Sequence, residues 1–166
     1  MVQTTQPGYC VPYTGELCSA YLKRGFEEIH LKRNSPQQNI EKKLDHAYRV
    51  ISTSDHLSEA CKPHVLPLLC HYLYPFCDET ATTPTPRSLC RDECDLLSQS
   101  ICSREYRMAK QQKLMYVLLP DCSKLPPVGS TGWKRCIRLN IEKHPSPSVN
   151  PQKGGLYFKS RFSLVF

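Results

Sequence analysis

Apolar positions along this chain gather into four stretches of helical spacing separated by prolines and polar turns. In the first, Ile40, Leu44, Ala47, Tyr48 and Ile51 recur at intervals of four, three, one and three, which sets them on one stripe. Lys42, Lys43, Asp45 and Arg49 take the opposite face. Ser35-Pro36-Gln37-Gln38 stands just before and reads as a start signal, with Ser35 as N-cap and Pro36 at the first helical position. A second helix is predicted from Lys62 to about Tyr72, opened by Pro63. Val65, Leu66, Leu68, Leu69, Tyr72 and Leu73 make it apolar nearly all round, as suits a central buried element. Pro67 removes one backbone bond and should bend it.

Thr83-Pro84-Thr85-Pro86 predicts a rigid turn that starts the third helix near Arg87 or Ser88. Cys90, Cys94, Leu97 and Ile101 then share one face. Side chains one turn apart have Cβ atoms about 5–6 Å apart, whereas a disulfide needs about 3.5–4.5 Å. Cys90 and Cys94 should therefore bond to different partners, making this helix a hub. Ser103 to Lys113 reads as a fourth helix, and the apolar run Leu114–Leu119 as either a buried strand or a helix end. Beyond Leu139, Pro145-Ser146-Pro147 and Pro151 to Gly155 have linker character, and residues 140–166 are expected to be a linker or disordered tail.

Ten cysteines in 166 residues change this picture. Such usage is uncommon where glutathione keeps thiols reduced and points to disulfides in an oxidising compartment. Count alone allows about 900 pairings. The alternative is zinc, since His56, His64 and His71 lie near Cys61 and Cys70, although no tight Cys-x2-Cys knuckle occurs. Met1–Gly8 is polar and lacks the basic flank and apolar run of a secretory signal. No stretch reaches the roughly 18 apolar residues of a membrane span.

The net charge of +7 is uneven. Residues 1–102 carry ten Lys/Arg against twelve Asp/Glu, and residues 103–166 carry twelve against three. A basic half of this kind suits an acidic partner: sulfated glycan such as heparan sulfate, or anionic lipid, before nucleic acid. Arg104, Arg107, Lys110 and Lys113 recur every three residues and would form a basic ridge; Lys134, Arg135 and Arg138 add a second cluster. No nucleophile elbow, zinc-protease helix or phosphate loop is present. The adjacent pairs Glu27-Glu28 and Asp92-Glu93 suit solvent better than paired acid–base work. An enzyme is not expected, nor a cofactor.

The cysteine spacing carries more than the count. Cys10, Cys18, Cys61, Cys70, Cys77, Cys90, Cys94, Cys102, Cys122 and Cys136, with the runs Leu69-Cys70-His71-Tyr72-Leu73-Tyr74-Pro75-Phe76-Cys77 and Pro86-Arg87-Ser88-Leu89-Cys90-Arg91-Asp92-Glu93-Cys94, resemble the Frizzled cysteine-rich domain. Thr53–Ser58, Leu89–Cys94 and Cys102–Tyr106 are most similar to the Ror receptor tyrosine kinases, with the muscle-specific receptor kinase a near second. The resemblance covers about residues 9–139, which would form the domain, with 1–8 as an N-terminal tail and 140–166 as the C-terminal one. It implies a mostly α, disulfide-rich helical bundle with minor β. It also implies the pairs Cys10–Cys77, Cys18–Cys70, Cys61–Cys102, Cys90–Cys136 and Cys94–Cys122.

The function it implies is an extracellular or cell-surface module that binds Wnt proteins. In Frizzled domains a groove between helices receives the ligand's fatty acyl chain. Tyr48, Ile51, Leu57, Val65, Leu68, Leu69, Tyr72 and Tyr106 are the residues this chain offers for such a slot, and a bound fatty acid is its implied ligand. The bland alternative is that they fill the core. His46 and Arg49, in the region corresponding to the groove helix, suggest less reliance on an exposed acyl groove than in Frizzled. Ror receptors continue into a kringle, a membrane span and a kinase, which this stretch does not contain. The competing function is a glycosaminoglycan-binding or secreted decoy module working through the basic half.

Overall fold

The structure, a computed structural model, describes residues 8–22 and 27–141. It opens with a short strand β1 (Tyr9–Val11), a one-turn helix α1 (Ser19–Leu22) and a second strand β2 (Ile29–Leu31). The strands pair antiparallel, Tyr9 opposite Leu31 and Val11 opposite Ile29, and an isolated bridge from Ile29 to Phe76 continues the pairing. Helices α2 (Gln37–Ser52), α3 (Lys62–Leu73), α4 (Arg91–Leu96), α5 (Ser103–Lys110), α6 (Lys113–Leu118) and the short α7 (Thr131–Lys134) make up most of the rest. The fold is mostly helical with a minor sheet.

α2 begins one residue later than the sequence suggests. Pro36 itself is the N-cap, in extended conformation at ψ 151°, and Ser35 makes no capping bond. The Pro36 carbonyl accepts from the Asn39 and Ile40 amides, so the first turn closes on backbone alone. Leu44 and Ala47 are fully buried from this helix, while Ile40 and Ile51 flank the core. α3 runs from Lys62 with Pro63 in its first turn and Pro67 inside it. The bond Pro67 cannot donate would go to the carbonyl of Pro63, near the helix start, where one missing bond does least damage.

The third helix departs more. It starts at Arg91, not at Arg87 or Ser88, because the preceding residues are occupied by extended pairing. Pro86 bridges Cys77, the Arg87 amide donates to the Phe76 carbonyl, and Leu89 bridges Ile137 in parallel. After Leu96 the helix widens into a π-turn (Leu97–Ile101), in which the Cys102 amide reaches back to Leu97 at 2.8 Å. The fourth predicted helix stops at Lys110 instead of Lys113. Leu114–Leu119 is helical over Lys113–Leu118, with Met115 and Leu118 buried and Tyr116 and Val117 exposed.

Five disulfides hold these elements: Cys10–Cys77, Cys18–Cys70, Cys61–Cys102, Cys90–Cys136 and Cys94–Cys122. They are the pairs implied by the resemblance, and all ten cysteines are used. Cys61 and Cys70 therefore have no thiolate to offer a metal. Cys18–Cys70 joins residues 52 apart, and closing such a loop in the unfolded chain contributes about 4 kcal/mol in the chain-entropy account. Glu93 is not solvated: it is buried and accepts from the Leu139 amide at 2.6 Å and the Ile141 amide at 3.4 Å. Ile141 is itself buried, two residues past the boundary suggested by composition. The remainder of the 140–166 segment, and residues 1–7, lie outside the described residues.

Candidate functional site

An apolar cavity of about 150 Å³ lies at the C-terminal end of α2. Val50 and Ile51 of α2, Val65 and Leu68 of α3, Tyr106, Met108 and Ala109 of α5, Met115 of α6 and Leu119 line it, and it opens to the surface. The connection between α2 and α3 crosses it as a strap and contributes Ser54, His56, Leu57 and Cys61. Polar groups in the lining also come from His64, Glu105 and Gln112.

Local chemistry shapes the strap. The Ser54 hydroxyl accepts from the His56 amide at 3.2 Å, and the Ser58 hydroxyl accepts from the Cys61 amide at 3.3 Å, two short polar turns that hold the chain compact. The strap is tied to α5 twice. Cys61–Cys102 closes its end, and the Ser58 amide donates to Glu105 Oε1 at 3.0 Å. Burial would raise the Glu105 pKa, but donation from Ser58 and the nearby Arg104 outweigh it and hold the carboxyl below its usual range. On the other side of α5, the Tyr106 hydroxyl donates to the Pro120 carbonyl, and Lys110 Nζ donates to the Leu119 carbonyl at 3.2 Å. Burial pushes the Tyr106 hydroxyl pKa far up, so it remains a donor.

Of the eight residues expected to form an acyl slot, Ile51, Leu57, Val65, Leu68 and Tyr106 line this cavity. Tyr48, Leu69 and Tyr72 do not. The cavity spans only the last turn of α2 and the first half of α3, so Tyr48 lies a turn too early and Tyr72 a turn too late. Leu69, rotated about 100° from Leu68, is fully buried in the core instead. His46 and Arg49 are also elsewhere: both are exposed, and Arg49 pairs with Asp45 at 2.9 Å. They do not polarise the cavity. Val50, Met108, Ala109, Met115 and Leu119 were not legible as lining. The signal for α5 was the i, i+3 pair Tyr106 and Ala109, masked by the interleaved cations.

The basic residues divide as well. Arg104, Arg107 and Lys113 are exposed, but Lys110 turns inward, its ammonium 5.1 Å from the Tyr116 ring centre and 5.7 Å from that of Tyr106. The predicted ridge is therefore interrupted. In the second cluster Arg135 pairs with Asp78 at 2.8 Å and also meets Thr80. Arg138 pairs with Asp92 at 2.9 Å and lies over Trp133, whose Nε1 donates to the same carboxylate. Burial would raise the Asp92 pKa, but these two donors outweigh it and lower it. Lys134 is exposed beside them.

Two comparisons bear on this arrangement. Residues 10–129 match the family model for the Fz domain. The chain is also similar to the tyrosine-protein kinase transmembrane receptor Ror of Drosophila melanogaster, at 23% identity over 196 aligned residues, covering 81% of this chain. The chain spans 28% of the length of that curated relative. Among the described residues, no helix is long and apolar enough to cross a membrane.

Proposed function

The chain belongs to the Fz domain family, and from that premise we propose that it is the extracellular ligand-binding module of a Ror-like receptor tyrosine kinase, binding Wnt proteins and admitting the end of a fatty acyl chain to its apolar cavity. The observation that carries this reading is the cavity itself, apolar on most of its wall and framed by the disulfide-tied strap. Five disulfides suit an oxidising exterior, where they persist.

Size limits how much lipid can enter. A cavity of about 150 Å³ matches one known to take a benzene-sized guest, so room exists for about six carbons. At about 0.8 kcal/mol per buried methylene, the ceiling is about 5 kcal/mol. The remainder of the chain and the Wnt protein surface must contact the outside of the domain. Recognition then leans less on an acyl groove than in a domain that swallows the whole chain.

The test is binding of an acylated Wnt protein to the oxidised chain and to Ala109→Phe, which fills the cavity from the α5 wall. Wild type binds, and the variant, folded by its circular dichroism, binds about tenfold more weakly. Absence of Wnt binding by wild type overturns the function, and equal binding by the filled variant overturns the role of the cavity. The charge-based reading, a glycosaminoglycan-binding or secreted decoy module, retains Arg104, Arg107, Lys113 and Lys134 as exposed cations, whereas Arg135 and Arg138 are ion-paired and Lys110 turns away from the ridge with one N–H on the Leu119 carbonyl.

A further inference from the structure

Tyr106 and Leu119 form a wall with a concavity on each side. Opposite the apolar cavity lies a groove of about 780 Å³, within the roughly 300–1,000 Å³ usual for small-ligand sites. Arg91, Asp95, Ser98 and Gln99 form one bank, and Lys110, Tyr116, Asp121 and Lys124 the other. Cys94–Cys122 ties the two banks together, so the groove is held open by a covalent link. Its lining is more polar than that of the acyl cavity: hydroxyl, amide and charged groups and the Tyr116 ring, interspersed with Val117, Leu119, Pro120 and Leu125.

We propose that this groove binds an acidic oligosaccharide, a short sulfated or uronate-bearing glycan, with a sugar ring against Tyr116 and its acid groups held by Arg91, Lys110 and Lys124. Three cations face two carboxylates, Asp95 and Asp121, and both carboxylates are already engaged. Gln99 donates to Asp95 Oδ1 at 3.3 Å, and the Ser123 amide and hydroxyl donate to Asp121 Oδ1 at 3.2 and 2.7 Å. Their ion pairs with Arg91 and Lys124 stand at 3.6 Å each and occupy at most one N–H of each cation. Both cations thus keep donors for an incoming anion. Lys110 uses one N–H on the Leu119 carbonyl, and its ammonium has two more.

Tyr116 supplies the second half of the recognition. It is 62% exposed although it sits on a helix whose neighbours Met115 and Leu118 are buried. A pyranose presents a flat C–H face to such a ring and hydroxyls around its edge, and Ser98, Gln99 and Ser123 also line the groove. The groove shares the Tyr106 and Leu119 wall with the acyl cavity, and it moves the anion-binding surface from Arg104 and Arg107 to the side of α5 that carries Lys110.

The experiment titrates the oxidised chain with a heparin-derived tetrasaccharide by calorimetry and by amide chemical-shift mapping. Arg91→Ala/Lys124→Ala should weaken binding about tenfold or more, and Tyr116→Ala, at an exposed position, several-fold, whereas Arg104→Ala/Arg107→Ala should change it less than twofold. Affinity should fall as salt rises. Shifts should map to Ser98, Gln99, Tyr116 and Lys124. Loss of binding in the Arg104/Arg107 variant with retention in the groove variant, equal affinity for an uncharged tetrasaccharide, or no binding by wild type would each overturn the proposal.

Discussion

Glu41 shows how one carboxylate organises a junction that no periodicity announces. The Tyr13 and Tyr74 hydroxyls donate to it at 2.9 and 2.8 Å, and the Glu16 and Leu17 amides at 3.1 and 2.9 Å. The loop between β1 and α1 is thereby fastened to α2. Gly15 permits the approach, since a Cβ there would meet the Tyr13 hydroxyl and the Glu41 carboxyl. Burial would raise the Glu41 pKa, but the four donors outweigh it and depress it. A depressed folded-state pKa stabilises the fold above the unfolded value, about 4.3 for glutamate, and that contribution is lost as pH falls through the folded value. Glu41→Gln should cost about 2 kcal/mol at neutral pH. Chemical denaturation should also show the wild-type advantage shrinking below about pH 4.3; an undiminished advantage in acid would show that the charge is irrelevant. Nothing in the local sequence pattern marks Glu41, and Glu93 reads there as half of a solvated pair. Both gain their roles from partners 24 to 48 residues away, which local pattern cannot supply.

At the scale of elements, legibility followed burial. α2 and α3 were readable because each commits a long face to the core; both starts and the end of α3 fell within a residue of expectation. α4 was misplaced at its start because Pro86 to Leu89 is drawn into bridges with Cys77 and Ile137. Tertiary pairing there overrides a local start signal. Leu114–Leu119 is ambiguous in sequence because a short apolar run fits either period, and α6 resolves it as a helix with one buried side. The strap over the cavity depends on the Ser58–Glu105 bond and the Cys61–Cys102 disulfide. Glu105→Ala should raise hydrogen exchange of the Ser58 amide about fivefold, equivalent to about 1 kcal/mol for an exposed bond to a charged group, while the α3 amides stay protected. Uniform loss of protection across α3 would mean that Glu105 supports the bundle and not the strap.

For the whole molecule, the cysteine spacing was the most informative feature of the chain. It pointed to a family, and through the family to five pairs that the structure reproduces. The cavity was legible in part. Five of its lining residues were foreseeable from apolar stripes on α2 and α3, the strap and Tyr106, but its closure by α5 and α6 needs the π-turn and the Tyr106–Pro120 contact. Its volume was not legible at all, and volume decides how a lipid is received. Isothermal titration of the oxidised chain with saturated fatty acids of increasing length measures this directly. Affinity should climb with each methylene up to about six carbons and then level off, as the cavity fills. Affinity that keeps climbing through long chains, or no heat at any length, would contradict a cavity that takes only the end of an acyl chain.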